Sequence, residues 1–255
     1  MRSGAVVDAQ SCRRAKGARL LNTEYDAVIF DLYGTLVDDL KSPEFQMTKY
    51  RRLSSEMAFA LGLPAEEFLR LWIETSDKRA MGEFPNLDAS LTAICLELGG
   101  SCRVSHVAKA SKLRVQFIRR ALVPRPDTVD SLVSIRESGY KVGLISNCGF
   151  DTGEVWSESS LAPLIDEAIL SCSVGLKKPD PHIYQLACQR LQVSPDRCLY
   201  VGDGGSSELT GATEVGMRSV LIRAPSDDDD GGSREEWPGD RISTLGEIVP
   251  LLHGT

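Results

Sequence analysis

The segment Asp31-Leu32-Tyr33-Gly34-Thr35-Leu36 directly follows the apolar run Ala27-Val28-Ile29-Phe30. The run reads as a buried strand, and Asp31 stands at its carboxyl end, where open parallel sheets bind their ligands. Gly34 lets the backbone turn sharply just beyond it. A carboxylate in that place is suited to attack phosphorus or carbon and form a covalent intermediate. A turn-forming Asp before a Gly fits the same residues, so this segment alone leaves the chemistry open.

Three further segments follow in order. Val142-Gly143-Leu144-Ile145-Ser146-Asn147 is a second short apolar strand, ending in two small hydrogen-bonding side chains. Ser146 and Asn147 suit an anionic oxygen, and they are also ordinary turn residues. Gly175-Leu176-Lys177-Lys178-Pro179-Asp180-Pro181 precedes an amphipathic helix, with Asp180 and Pro181 fitting the N-cap and first helical position. A lysine just ahead of that helix is placed to point its ammonium at a phosphate or at the first carboxylate. The fourth, Cys198 to Glu208, is a strand ending in Asp203 and Glu208 with glycines between them. Hard oxygen ligands at a strand end suit Mg²⁺.

Together the four segments resemble the haloacid dehalogenase superfamily of aspartate-nucleophile hydrolases, over about Tyr25 to Ile222. The resemblance implies an α/β fold, a Rossmann-like doubly wound parallel sheet with an inserted all-helical cap domain. It implies Asp31 as nucleophile, Ser146 as the phosphate-binding residue beside Asn147, and Lys178 as the superfamily lysine. It also implies Mg²⁺ as cofactor, with Asp31, the Tyr33 carbonyl, Asp203 and Glu208 as the metal site.

Two departures from the pattern pull in opposite directions. Phosphatases of the superfamily carry a second Asp two residues after the nucleophile to protonate the leaving oxygen, and this chain has Tyr33 there. A phenol of ordinary pKa ~10 is poorly matched to that task. The L-2-haloacid dehalogenase branch carries the same Tyr, and a departing halide needs no proton. That branch, however, works without metal and lacks the acid at Asp203, while Glu208 replaces the more usual Asp at a longer spacing. Two adjacent acids without a cation between them would raise one pKa and spoil the nucleophile. The expected function is therefore a Mg²⁺-dependent phosphatase acting on a small phosphorylated metabolite, with Tyr33 or a cap residue standing in for the missing acid. A metal-independent 2-haloacid dehalogenase is the alternative. A non-catalytic binding member is a third, disfavoured because Asp31 and Lys178 are both present.

Composition narrows the setting. The chain of 255 residues carries a net charge of −7, and five basic residues against Asp8 and Glu24 leave its opening stretch positive and the remainder acidic. An acidic body argues against nucleic acid as partner. Seven irregularly spaced cysteines, with no Cys-x-x-Cys pair, fit free thiols in a reducing cytoplasm. Cys148 reads as small buried filler and His182 as a surface or capping residue. No apolar run reaches membrane-spanning length. Residues 1–24 read as a disordered leader, and the oligomeric state stays open.

The residues between the first two motifs are helical in pattern: Phe45 to Leu61, Ala65 to Arg79, Leu87 to Leu98 and Ser105 to Leu122. Met47, Phe59, Trp72 and Met81 read as their core, and Arg51, Arg52, Lys78 and Arg79 as basic positions, mostly solvated, able to meet a substrate anion. The expected cap is 39–123, hinged near Asp38 and Asp39 and near Pro124 and Pro126, with a core of 25–38 and 124–255. Beyond Pro126, helices at Asp127–Ser138, Gly153–Ser159, Pro181–Leu191 and Glu208–Val215 alternate with strands, which with the first make five. First and fourth strands are expected as neighbours, joining Asp31 to Asp203. The stretch from Pro225 to Asp240, with Asp227 to Asp230, reads as a solvated loop, and a last helix near Leu245–Leu252 is expected on the sheet edge.

Overall fold

The structure, a computed structural model, describes residues 24–37, 43–224, 227 and 234–253, with side chains from 50 onward in the first helix. The leader up to residue 23, Asp38, Asp39, Asp228 to Asp230 and the side chain of Met47 lie outside the described residues.

Six parallel strands form one sheet: β1 (Ala27–Phe30), β2 (Lys141–Ser146), β3 (Glu167–Leu170), β4 (Cys198–Gly202), β5 (Arg218–Ile222) and β6 (Asp240–Ile242). Their spatial order is β3-β2-β1-β4-β5-β6. Phe30 is level with Leu144 of β2 and Val201 of β4, so the residues just beyond all three strands leave the sheet at one edge. The Asp31 amide extends the ladder by donating to Val201 O at 2.9 Å.

Period-two alternation divides the strand side chains between two layers. Val28, Phe30, Val142, Leu144, Leu199 and Val201 face one cluster, with Leu132 and Ile135 of α6 (Thr128–Glu137) and Ile248 and Leu252 of α11 (Ile248–Leu252). Ala27, Ile29, Ile145, Ile169 and Tyr200 face the other, closed by α9 (Pro181–Leu191) and α10 (Glu208–Glu214). Helices on both faces make the sheet doubly wound, as expected.

Three local expectations are corrected. The sheet has a sixth strand, β6, where the chain returns from the acidic loop to pair with β5. That strand holds the edge, and α11 instead packs over α6, entered through a Thr244–Glu247 capping box. The helix expected at Gly153–Ser159 starts earlier, as α7 (Phe150–Trp156) behind the extended residue Gly149, and a short α8 (Ser171–Val174) follows β3.

Between β1 and α6 lie α1 (Pro43–Leu61), α2 (Ala65–Glu74), α3 (Ser76–Ala80), α4 (Leu87–Glu97) and α5 (Val104–Ala121). Their own apolar cluster includes Met57, Phe68, Trp72, Leu91, Ile94 and Val107. The helix expected through Arg79 breaks at Thr75, whose hydroxyl donates to Leu71 O at 2.6 Å and accepts from Arg79 Nη1 at 2.6 Å. Phe59 is not core: it is 80% exposed, with Lys109 above its ring at 6.0 Å. No helix among the described residues is long and apolar enough to cross a membrane.

The loop between β5 and β6 was expected to be solvated, and its described residues bind the body of the protein. Asp227 receives two hydrogen bonds from Arg125, each 3.1 Å, with side chains only 10% and 8% exposed. Arg125 in turn donates to Gly34 O at 2.5 Å, and Glu235 accepts from Leu209 N at 2.7 Å to cap α10. Removing one partner of a buried pair strands the other's charge. Asp227→Ala is expected to lower unfolding free energy by about 3 kcal/mol, measured by urea denaturation against wild type.

Candidate active site

Asp31 leaves the sheet at the end of β1 and is 7% exposed. Lys178, in the loop ahead of α9, forms a short hydrogen-bonded ion pair with its Oδ1. The same ammonium donates to Glu208 Oε2 at 2.5 Å and to Tyr200 Oη at 3.3 Å. Glu208, the first residue of α10, accepts in addition from Tyr200 Oη at 2.8 Å and, through Oε1, from Gly204 N at 3.1 Å. Three elements distant in sequence thus meet around one buried cation.

The charges follow from this packing. Burial raises the Asp31 pKa, and Asp203 adds to the rise, while Lys178 opposes it. Burial pushes Glu208 up to about 8, with the Asp31 charge adding to it against the pull of Lys178. Burial lowers the Lys178 pKa, but Asp31 and Glu208 outweigh it and hold the ammonium above the ordinary lysine range.

Ser146 closes β2, 1% exposed, and its buried Oγ has no hydrogen-bond partner among the described residues. A buried hydroxyl left without a partner is unusual and is suited to a ligand oxygen. Asn147 is arranged differently from the expected ligand contact. Its Oδ1 accepts from Lys178 N at 2.8 Å and its Nδ2 donates to Lys178 O at 3.1 Å. That two-way clamp fixes the loop carrying the lysine. Asp180 caps α9 as expected, accepting from His182 N at 2.9 Å, and His182 is exposed. Cys148 is buried, and the six described cysteines are free thiols.

Asp203 follows β4, 8% exposed, its Oδ1 accepting from Gly205 N at 2.9 Å. Gly34 has φ +78°, and a Cβ there would overlap Asp203 Oδ2. Only glycine allows the two loops to approach so closely. Oxygens of Asp31, Asp203 and Glu208 lie within 4.8 Å of one another. Such a hard, anionic oxygen set fits Mg²⁺. One feature was not legible in sequence: Arg234, from the loop before β6, pairs with Asp203 Oδ2 at 2.9 Å. It approaches from the side of Gly34.

Tyr33 is half-buried with its phenol 3.0 Å from Thr152 Oγ1 of α7. Burial raises its pKa above the ordinary phenol value. Beside Thr152, Asp151 accepts from Arg114 Nε of α5 at 2.6 Å, in a pair 7% and 11% exposed. Tyr200 and the Arg114–Asp151 pair escaped the sequence reading, because a polar tip in an apolar strand and an arginine in a helix carry no local signal of their partners.

A family model described as haloacid dehalogenase-like hydrolase matches residues 25–216. The glyceraldehyde 3-phosphate phosphatase of Methanopyrus kandleri is 27% identical over 212 residues, 80% of this chain and 89% of that protein. The (S)-2-haloacid dehalogenase 4A of Burkholderia cepacia is 29% identical over 245 residues, 89% of this chain and 94% of that one. The crystal structure of a phosphatase of the same superfamily from Thermococcus onnurineus superposes with a TM-score of 0.61 at 23% identity, covering 90% of this chain and 98% of that one, a likeness of fold. The four motifs, the parallel sheet that gathers them and a family match over most of the chain together mean that this protein belongs to the haloacid dehalogenase-like hydrolases.

Proposed function

We propose that this hydrolase is a Mg²⁺-dependent phosphatase, cleaving a small phosphorylated metabolite through an aspartyl-phosphate on Asp31. The observation that carries the reading is the gathering of Asp31, Asp203 and Glu208 within 4.8 Å. A second and third carboxylate beside a nucleophile raise its pKa unless a cation offsets them. Asp31, Asp203 and the Tyr33 carbonyl would hold Mg²⁺. Glu208, whose oxygens already engage Lys178, Tyr200 and Gly204, would support them from behind. When bound, the ion withdraws charge from the phosphoryl oxygens.

The protein's own groups do the rest. Ser146 Oγ donates to a phosphoryl oxygen and the Lys178 ammonium balances charge as it shifts. An Asp31 oxygen attacks phosphorus in line, and the bond from phosphorus to the ester oxygen breaks. The leaving alkoxide takes a proton from water, because the Tyr33 phenol is tied to Thr152 with a raised pKa. A second water then attacks phosphorus and frees the Asp31 carboxylate, releasing inorganic phosphate. Helices α1 to α5 act as the cap over this site, in the division 39–123 against 25–38 and 124–255 proposed from sequence. Free thiols support a reducing, cytoplasmic setting.

One observation favours a second reading, a metal-independent 2-haloacid dehalogenase using the same nucleophile. Arg234 already places a cation on Asp203, and Tyr33 stands where a phosphatase acid is expected. The two readings part in one assay: phosphate release from small phosphate esters with Mg²⁺ or EDTA, beside halide release from 2-chloropropionate. The phosphatase reading expects phosphate release that EDTA abolishes. Halide release that survives EDTA would replace it.

Asp31→Asn is expected to lower turnover by about a thousandfold or more, measured by phosphate release, with thermal unfolding checked for an intact fold. Tyr33→Asp is expected to raise kcat at least ~10-fold for an alkyl phosphate, whose leaving group needs a proton, and far less for p-nitrophenyl phosphate. Equal effects on both esters would mean that proton delivery is not what Tyr33 withholds. Arg234→Ala, by freeing Asp203 Oδ2, is expected to lower the Mg²⁺ concentration at half-saturation about threefold or more, read by the Mg²⁺-dependent rise in Tm as well as by activity.

A further inference from the structure

Of the basic positions that the sequence marks in the helical insertion, Arg51, Arg52 and Lys78 are exposed, while Arg79 is folded inward. Its guanidinium lies 3.7 Å over the Trp72 ring and donates to Trp72 O at 2.7 Å and Thr75 Oγ1 at 2.6 Å. Its stem borders the loop after Ser146 and Asn147: a Cβ at Gly149 would meet Arg79 Cβ at 3.7 Å. Arg114 lies in the same cluster, ringed by Trp72, Phe117 and Tyr50 at 5.5, 5.5 and 5.8 Å. Its Nε is paired with Asp151, while its buried Nη1 has no partner among the described residues.

Asp151 is ion-paired with Arg114, while the Arg79 guanidinium donates to a carbonyl and a hydroxyl, and this imbalance of charge has consequences. Burial, reinforced by the Arg114 charge and opposed by Asp151, pushes Arg79 down to about 10. A buried donor with no acceptor is costly unless a ligand completes it. Two stretches of chain also link the cluster to the proposed reaction centre. Asp151 precedes Thr152, which holds the phenol of Tyr33 two residues from the nucleophile, and Gly149 comes three residues after Ser146. The protein as a whole is acidic, so this local positive excess is not a feature of the general field.

We propose that Arg79 and Arg114 form a subsite for a second anionic group on the non-reacting end of the substrate, and that the substrate is a small phosphorylated carboxylic acid. A planar carboxylate matches the guanidinium fork and supplies the acceptor that Arg114 Nη1 lacks. The phosphoryl group then lies at Asp31 and Ser146 while the carboxylate lies against the insertion, so only a substrate bearing both satisfies both ends. This rests on the phosphatase reading above.

The test compares 2-phosphoglycolate with ethyl phosphate, which lacks the carboxylate, in wild type, Arg79→Gln and Arg114→Lys, all with Mg²⁺. Wild type is expected to show a KM for phosphoglycolate at least ~10-fold lower than for ethyl phosphate. Arg79→Gln is expected to shrink that ratio toward one by raising the phosphoglycolate KM selectively. Arg114→Lys keeps the charge beside Asp151 but loses the fork, and is expected to fall between. Equal KM values in wild type, or a loss in Arg79→Gln that is the same for both esters, would overturn the subsite. Binding supplies an independent readout: phosphonoacetate should raise the Tm of Asp31→Asn more than ethylphosphonate does, and Arg79→Gln in that background should erase the difference. If neither ester is hydrolysed, the phosphatase reading fails. The phosphonoacetate shift then still decides the subsite, supporting it where present and Arg79-dependent and overturning it where absent.

Discussion

Everything at the reaction centre depends on one ammonium. Lys178 is 3% exposed and lies between Asp31 and Glu208, two carboxylates buried almost as deeply. Burying three charges is expensive, and such a cluster persists only when every lone pair and proton has a partner. Here the partners are supplied from three directions: Tyr200 from within β4, Gly204 N from the turn beyond it, and Asn147 clamping the Lys178 backbone from the end of β2. The ammonium also opposes, by its charge and its hydrogen bond, the rise that burial and Asp203 impose on the Asp31 pKa.

Close approach is the second constraint, and it is met by glycine. The strand order puts β1 between β2 and β4, which brings the loops after β1 and β4 face to face. A Cβ at Gly34 would occupy the place of Asp203 Oδ2, and one at Gly202 would collide with Glu208 Oε1. The acidic residues are therefore close because the backbone between them has nothing in the way. The loop before β6 reinforces the arrangement from outside: Arg125 bridges Asp227 to Gly34 O, Arg234 pairs with Asp203, and Glu235 caps α10.

How much of this the sequence disclosed follows from the range of each interaction. Asp31, Ser146, Lys178, Asp203 and Glu208 each lie at or just beyond a strand end or at or just before a helix start, so local pattern locates them and parallel topology brings them together. Asn147 was legible as a site residue but not as a clamp, since its partner is 31 positions away. Arg234 and Asp227 were hidden inside an acidic, glycine-rich stretch whose composition resembles a solvated loop. β6 was hidden for a related reason: three residues, two of them charged and exposed, carry no strand period. Phe59 misled because helical spacing counts apolar residues without saying which of them a neighbouring helix covers.

Tyr33 shows how these constraints are coupled. A carboxyl group in its place would be within two residues of Asp31 and able to move a proton. The phenol instead reaches Thr152, beside the Asp151 that holds Arg114 of the insertion. One side chain thus ties the loop after β1 to α7, α7 is tied to α5 by the buried ion pair, and the turn after α7 is tied to α5 by Arg119 to Glu158 at 2.8 Å. A residue used as a tether is desolvated, and burial raises the phenol pKa by more than the hydrogen bond to Thr152 lowers it, the opposite of what proton transfer needs. Tethering and acid catalysis therefore exclude each other at this position. The loop after β1 is thus joined to the helical insertion through Tyr33, Thr152, Asp151 and Arg114.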